Sequence, residues 1–246
     1  MRPGGIYDRL VRLGIPTGPK RHEKPSHNAR MLHVPSWCGD LAEFFGVMLG
    51  DGHIGASQIW ITVNVKTDAP YIPYLQALQE HLFQFRPRVT RVKDGSYLDL
   101  YISSTQLVLE LHKIRLYSSN KVKDQVGIPH RIFSDTEYQR RFVRGFFDTD
   151  GSIYLLKHFN APQMLFKNCS RPLLDGTREI LLGLGYHPSR VSDYSVYLTR
   201  HSDVDAYARA IGFGNLKHVK RAQAFRSGGG NVNKLTSRGH SVRRSN

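Results

Sequence analysis

Two apolar stretches that each end in an acidic residue and a glycine constrain this chain more than any other feature. Residues 44–55 read FFGVMLGDGHIG, and residues 143–154 read VRGFFDTDGSIY. In both, large apolar residues run into an Asp-Gly pair, Asp51-Gly52 or Asp150-Gly151, and then into a β-type segment. The surroundings repeat as well, and internal repeats decide architecture early. Asp40, with Glu43 three residues on, predicts the N-cap of a helix running through Leu49. The capping box Ser134-Asp-Thr-Glu137 predicts the start of a second helix, YQRRFVRGFFD. Strand-like runs follow each Asp-Gly: HIGASQIWITVNV in the first copy, SIYLLKHF and QMLFKNC in the second. Next come helical segments (APYIPYLQALQEHLF and RPLLDGTREILLGLG), two further strands (RVTRVK with YLDLYIS, PSRVS with VYLTR) and a last helix (TQLVLELHKIRL and DVDAYARAIG). A basic stretch closes each copy, SSNKVK in one and GNLKHVK in the other.

The order α-β-β-α-β-β-α therefore occurs twice. It predicts an α+β protein of two pseudo-symmetric halves, residues 37–130 and 131–225, each carrying a four-stranded antiparallel sheet. Residues 1–36 are a basic extension rich in Pro, Gly and His, with one short helix, IYDRLVRLG, ended by Pro16. That piece fits a basic arm on nucleic acid, the last helix of a trimmed helix-turn-helix, or a loosely docked extension. Residues 226–246 are Gly/Ser-rich and basic, without apolar periodicity, and read as a disordered tail.

Charge narrows the partner. Lys and Arg total 35 against 20 Asp and Glu, a formal +15, which favours a polyanion through counterion release. No basic amphipathic helix points instead to a membrane surface. Cys38 and Cys169 form neither a disulfide framework nor a zinc site, so the chain is expected inside the cell in a reducing compartment.

In the first helix Gly46 and Gly50 lie four apart on one face; Gly145 and Thr149 hold the matching positions of the second. Small residues at this spacing let two helix backbones approach closely. Phe44, Phe45, Val47 and Met48, with Phe142, Val143, Phe146 and Phe147, are expected to fill the cores of the two halves. If the glycine faces meet, Asp51 and Asp150 come together at two helix C-termini, where each opposes a macrodipole and repels the other. A divalent cation between them removes that penalty. Mg²⁺ is the expected ion, held by few carboxylates plus water and phosphate oxygens, with Mn²⁺ as a substitute and Ca²⁺ as a non-productive occupant. Two carboxylates at the midline of a basic, sheet-bearing protein suggest metal-assisted phosphodiester hydrolysis. A single Asp-Gly is ordinarily just a hairpin turn. DTDGS is similar to a calcium loop, but position twelve from Asp148 is Phe159 rather than Glu. Asp148 matches Leu49 of the first copy and is given no catalytic role.

Over residues 40–220 the chain resembles the LAGLIDADG homing endonucleases of the single-chain, two-motif kind. FFGVMLGDG (44–52) and VRGFFDTDG (143–151) match their nine-residue motif, with the acidic eighth position at Asp51 and Asp150. The resemblance implies two motif helices packed at the interface of two αββαββα halves. Their sheets form a saddle along the major groove of a DNA site of about twenty base pairs. It also implies metal ions on Asp51 and Asp150, helped by the backbone carbonyls of Gly50 and Thr149, and cleavage of both strands with short 3′ overhangs. Lys121 and Lys217 match the family's basic residue after each half's last helix, which would stabilise charge at the scissile phosphate. Asn168 matches its water-orienting polar residue late in the second strand. The first half offers Asn64 or Val65 there. Retention of both aspartates favours cleavage over binding alone, whereas cleavage and maturase activity on host intron RNA are not separated by sequence. The enzyme is expected to act as a monomer.

Strand position nominates the residues facing DNA: Gln58, Trp60, Thr62, Asn64, Arg91 and Lys93 in the first half. In the second they are Tyr154, Lys157, Lys167, Arg190, Tyr197 and Thr199. A register slip of one residue swaps such a set for its opposite face.

Overall fold

Residues 31–92, 95–116, 123–156 and 161–226 are described by a computed structural model. The first half runs α1 (Gly39–Gly50), β1 (Gly52–Ile54), β2 (Gln58–Asn64), a four-residue helix α2 (Val65–Asp68), a 3-10 turn (Ala69–Tyr71), α3 (Ile72–Phe83), β3 (Arg88–Arg91), β4 (Tyr97–Ser103) and α4 (Thr105–Lys113). The second runs from a 3-10 turn (His130–Ser134) into α5 (Thr136–Asp150), β5 (Gly151–Leu156), β6 (Ala161–Lys167), α6 (Arg171–Gly183), β7 (Ser195–Leu198), α7 (His201–Ala210) and α8 (Leu216–Arg226). The predicted α+β repeat is thus present, with all sheet pairings antiparallel. The N-terminal helix IYDRLVRLG, the tail beyond Arg226, Lys93, Lys121 and Lys157 lie outside the described residues.

Helices α1 and α5 cross at the centre because glycine removes the side chains that would hold them apart. A β-carbon on Gly46 would fall 2.2 Å from the Phe142 carbonyl oxygen, and one on Gly145 would fall 2.2 Å from that of Glu43. Around the crossing, Phe44, Phe45, Phe142, Phe146 and Phe147 are fully buried, each contributing roughly 2–3 kcal/mol of apolar transfer. The sheets cover the flanks of this pair. In β2 the period of two puts Ile59, Ile61 and Val63 into the core, and Ile153, Met164 and Phe166 do the same in the second sheet.

Charge also orders the crossing. The first helix contributes acids, Asp40 and the fully buried Glu43; the second contributes bases. Arg141 bonds Asp40 and lies 3.0 Å from Glu43, and Arg144 Nε lies 3.5 Å from Glu43. The Tyr74 hydroxyl donates to Glu43 at 2.5 Å, while the Arg144 guanidinium stacks 5.2 Å from the Tyr74 ring centre. Burial pushes the Glu43 pKa up, and Arg144 and Tyr74 offset part of that shift.

Three local expectations are corrected. Asp40 does not cap α1; the N-cap is Cys38, and the Asp40 side chain pairs with Arg141 and His81 instead. Asp135, not Ser134, caps α5 by accepting from the Glu137 N–H at 2.7 Å, while the Ser134 hydroxyl turns back to the Arg131 carbonyl. Among the described residues the first sheet has four strands, ordered β1-β2-β4-β3, but the second has three, β5-β6-β7. Residues 188–192 lie beside β7 without forming a regular ladder. A turn with Asp193 and Tyr194 at positive φ pairs Ser192 with Ser195, and then the register slips. The Ser189 N–H bonds the Tyr197 carbonyl, and its hydroxyl oxygen accepts the Tyr197 N–H that a backbone carbonyl would otherwise take.

Candidate active site

The predicted acids stand at the two central helix ends. Asp51 caps α1, its N–H bonded to the Val47 carbonyl at 3.1 Å and its carbonyl accepting from Thr62 N–H at 3.3 Å, and its side chain is exposed. Asp150 is the last residue of α5 and is half-buried. The ends are adjacent: a β-carbon on Gly50 would lie 2.0 Å from Thr149 Oγ1 and 3.5 Å from Asp150 Cγ. Thr149 bends its hydroxyl back to the Phe146 carbonyl at 3.0 Å.

Asn168, just past β6, reaches Asp150. Its Nδ2 donates to Asp150 Oδ2 at 2.5 Å while its Oδ1 accepts from Ser170 N–H at 2.7 Å. The Ser170 donor fixes which way the amide points, so an N–H is held on the carboxylate. Of the two first-half candidates, Asn64 caps α2 by accepting from Lys66 and Thr67 N–H, and Val65 is the first residue of that helix.

Lys217 comes to the same region from the far end of the chain. Its Nζ lies 2.6 Å from Asp68 Oδ1, and Asp68 lines one small cleft together with Asp51, Thr62, Tyr71, Asp148 and Thr149. Sequence reading places Lys217 in a basic stretch after the last helix; it sits in the first turn of a further helix, α8. Asn215 sets that helix start, accepting from Lys217 N–H at 3.1 Å and donating to Asp68 Oδ1 at 2.8 Å. Asp148 proves to be the anchor of this corner. Its Oδ2 accepts from Gly214 N–H at 2.6 Å, its backbone carbonyl accepts from Asn215 at 3.2 Å, and burial pushes its pKa up to about 8. Below it His218 packs 4.9 Å from Phe147 and 5.8 Å from Phe213; burial, with Lys217 and Arg221, lowers its pKa to about 3. Asp68 and Asn215 carry no motif and were not among the sequence candidates.

The donor set fits a hard divalent ion. Carboxylate and backbone carbonyl oxygens are ligands that such ions accept. No group of three or more His, Cys, Asp and Glu gathers among the described residues.

Strand pairing assigns the sheet faces. His53 opposes Trp60, Trp60 opposes Tyr101 and Tyr101 opposes Arg88, so all four share the outward face with Gln58, Thr62 and Asn64. Their rings pack, His53 lying 5.5 Å from Trp60, and Thr62 bonds Asp99 at 2.8 Å. Arg91 is a correction. It opposes Leu98, which shares the face of Leu100 and Ile102, so Arg88 and Thr90 hold the outward positions of β3. In the second sheet Tyr154, Lys167 and Tyr197 lie outward, with Gln163 accepting from the Tyr154 hydroxyl at 2.6 Å. Arg190 and Thr199 are exposed beside β7.

Residues 137–212 match the family described as a LAGLIDADG-like domain. The chain is 26% identical over 192 residues to the replication factor C small subunit of Methanocaldococcus jannaschii, covering 74% of this chain but only 10% of that relative. Among solved structures, full-length WhiA from Thermatoga maritima superposes with a TM-score of 0.52 at 14% identity, over 80% of this chain and 63% of that one. Variants of the homing endonuclease I-DmoI superpose with a TM-score of 0.48 at 17% identity, over 71% of this chain and 95% of that one. Two central helices, paired through glycine beneath antiparallel sheets, share the fold of these structures, and within the chain the second half, residues 137–212, is what matches a LAGLIDADG-like domain.

Proposed function

We propose that this protein is a site-specific double-strand DNA endonuclease. The observation that carries the reading is that the two central helix C-termini bearing Asp51 and Asp150 are adjacent, a position that the macrodipole makes unfavourable for carboxylates. Both sheets present polar and aromatic outward faces on a chain of net charge +15, as binding along a duplex requires. The match covers only a tenth of the replication factor relative, so that relative's named role is not carried to this chain.

Asp51 and Asp150, with the carbonyls of Gly50 and Thr149, would hold the divalent ion. When bound, the ion supplies an activated water and charge neutralisation at the leaving 3′ oxygen. Asn168 keeps Asp150 oriented through its Nδ2 donor, and the Lys217 ammonium supplies positive charge at the scissile phosphate. The outward strand side chains set the register on the duplex and read base edges.

A second reading, DNA binding without cleavage, draws on the ion pair between Lys217 and Asp68, which partly neutralises that ammonium. One experiment separates them. A randomised duplex library is incubated with the protein and Mg²⁺, and cut ends are sequenced. Cleavage at one site, lost in the Asp51→Asn, Asp150→Asn double variant while retention of the duplex survives, supports the endonuclease. Retention without cutting by the unaltered protein selects the binding role.

A further inference from the structure

We infer that Asp68 is the positioning residue of the reaction centre at Asp51, holding the Lys217 ammonium, delivered by the other half, at that centre's edge. The inference rests on the endonuclease reading. Asp68 receives three donors: Lys217 Nζ at 2.6 Å, Asn215 Nδ2 at 2.8 Å and the Thr67 hydroxyl at 2.5 Å. Burial pushes its pKa up, yet the donors of Lys217, Thr67 and Asn215 outweigh burial and hold it below the usual carboxylate value. Lys217 is pinned at both ends, its backbone N–H on Asn215 and its ammonium on Asp68. An exposed lysine samples many rotamers; one fixed this way gives up that freedom before substrate arrives, which is the condition for efficient positioning. An ammonium has three N–H donors, so pairing with one carboxylate oxygen leaves donors for phosphate oxygens.

Among the described residues the device belongs to one half only. Asp68 ends α2, the short helix that Asn64 caps between β2 and the turn into α3. In the second half β6 passes through residues 168–170 directly into α6, with no helix and no carboxylate on that connection. There the structure places the Asn168 amide on Asp150 instead. The two centres are therefore supported by different chemistry, and loss of Asp68 falls on one strand of the duplex.

The test uses the full chain and a duplex recovered by its own cutting of the randomised library, each strand carrying a distinct 5′ label. Single-turnover nicking of each strand, duplex retention and melting temperature are measured for Asp68→Asn, Asp68→Glu, Lys217→Met and the Asp68→Asn, Lys217→Met double variant. Asp68→Asn is expected to slow one strand by about ten- to a hundredfold and leave the other within about twofold, without loss of retention. Asp68→Glu should recover part of that rate, and Asp68→Asn should add nothing in the Lys217→Met background. Equal slowing of both strands with a lowered melting temperature would assign Asp68 to fold support and overturn the inference. So would nicking by Asp68→Asn at the unaltered rate on both strands. If the unaltered protein cuts no duplex, the endonuclease reading itself fails and this inference falls with it.

Discussion

A β-carbon on Gly145 would sit 2.2 Å from the carbonyl oxygen of Glu43, so the central helices touch backbone to backbone. Backbone cannot swing aside as a side chain can. Gly145→Ala is therefore expected to cost about 3 kcal/mol or to prevent folding. Gly183→Ala, whose β-carbon meets nothing within 4 Å, should be neutral or stabilising by a few tenths of a kcal/mol (roughly 0.5). Urea unfolding of both variants checks this; equal stability of the two would show that the crossing can relax.

Strand register makes a second claim testable. Arg88 opposes Tyr101 on the outward face and Arg91 opposes Leu98 on the other. Arg88→Ala should weaken duplex affinity by about tenfold, and Arg91→Ala clearly less. Fluorescence anisotropy at fixed salt measures both, and a larger effect at Arg91 would mean that DNA does not follow this face.

Asn168→Asp keeps the acceptor for Ser170 N–H but replaces the donor on Asp150 with a second carboxylate. Nicking of one strand should fall by about ten- to a hundredfold while affinity holds. Unchanged nicking would remove Asn168 from the centre.

His218 gives the pH dependence a sign. Its folded pKa is lowered from 6.5 to about 3 by burial first, then by Lys217 and Arg221, with Asp68 and the Asp148 backbone acting the other way. A depressed histidine means that the unfolded chain binds the proton first. Its share of stability is complete above pH 6.5 and declines as pH falls toward 3. Between pH 6.5 and 5 the loss is at most about 2 kcal/mol. His218→Phe, which suits the ring cluster around Phe147 and Phe213, should flatten that part of the profile in urea titrations. A profile identical to that of the unaltered chain would place the titration elsewhere.

Much of this architecture was legible because it is local or periodic. Alternation in QIWITVN fixed the buried face of β2, and paired glycines at i and i+4 pointed to the helix crossing. What escaped depends on contacts between distant segments. Asp68 meets Asn215 across 147 positions, and nothing near either residue marks the meeting. Asp40 has the spacing of a capping residue, yet the cations Arg141 and His81 outbid the free N–H groups for its carboxylate. PSRVS has strand propensity, but a hydroxyl on Ser189 substitutes for the backbone acceptor that a regular ladder needs. Arg91 was assigned to the wrong face since a turn of unknown length hides the parity of the following strand.

The pairing of Asp40 and Glu43 on α1 with Arg141 and Arg144 on α5 bears on which helices can be neighbours. The motif offset that aligns Asp51 with Asp150 also aligns Arg141 with Ala42 and Arg144 with Phe45. If two copies of α1 met in the same crossing, Ala42 and Phe45 would occupy the places of the two guanidinium groups. Glu43 would then be sealed in the core facing methyl and phenyl groups, at a cost of several kcal/mol, ~3–5 for an uncompensated buried charge. The near-symmetric backbone thus carries an asymmetric electrostatic code: each half recognises its complement and rejects its own likeness.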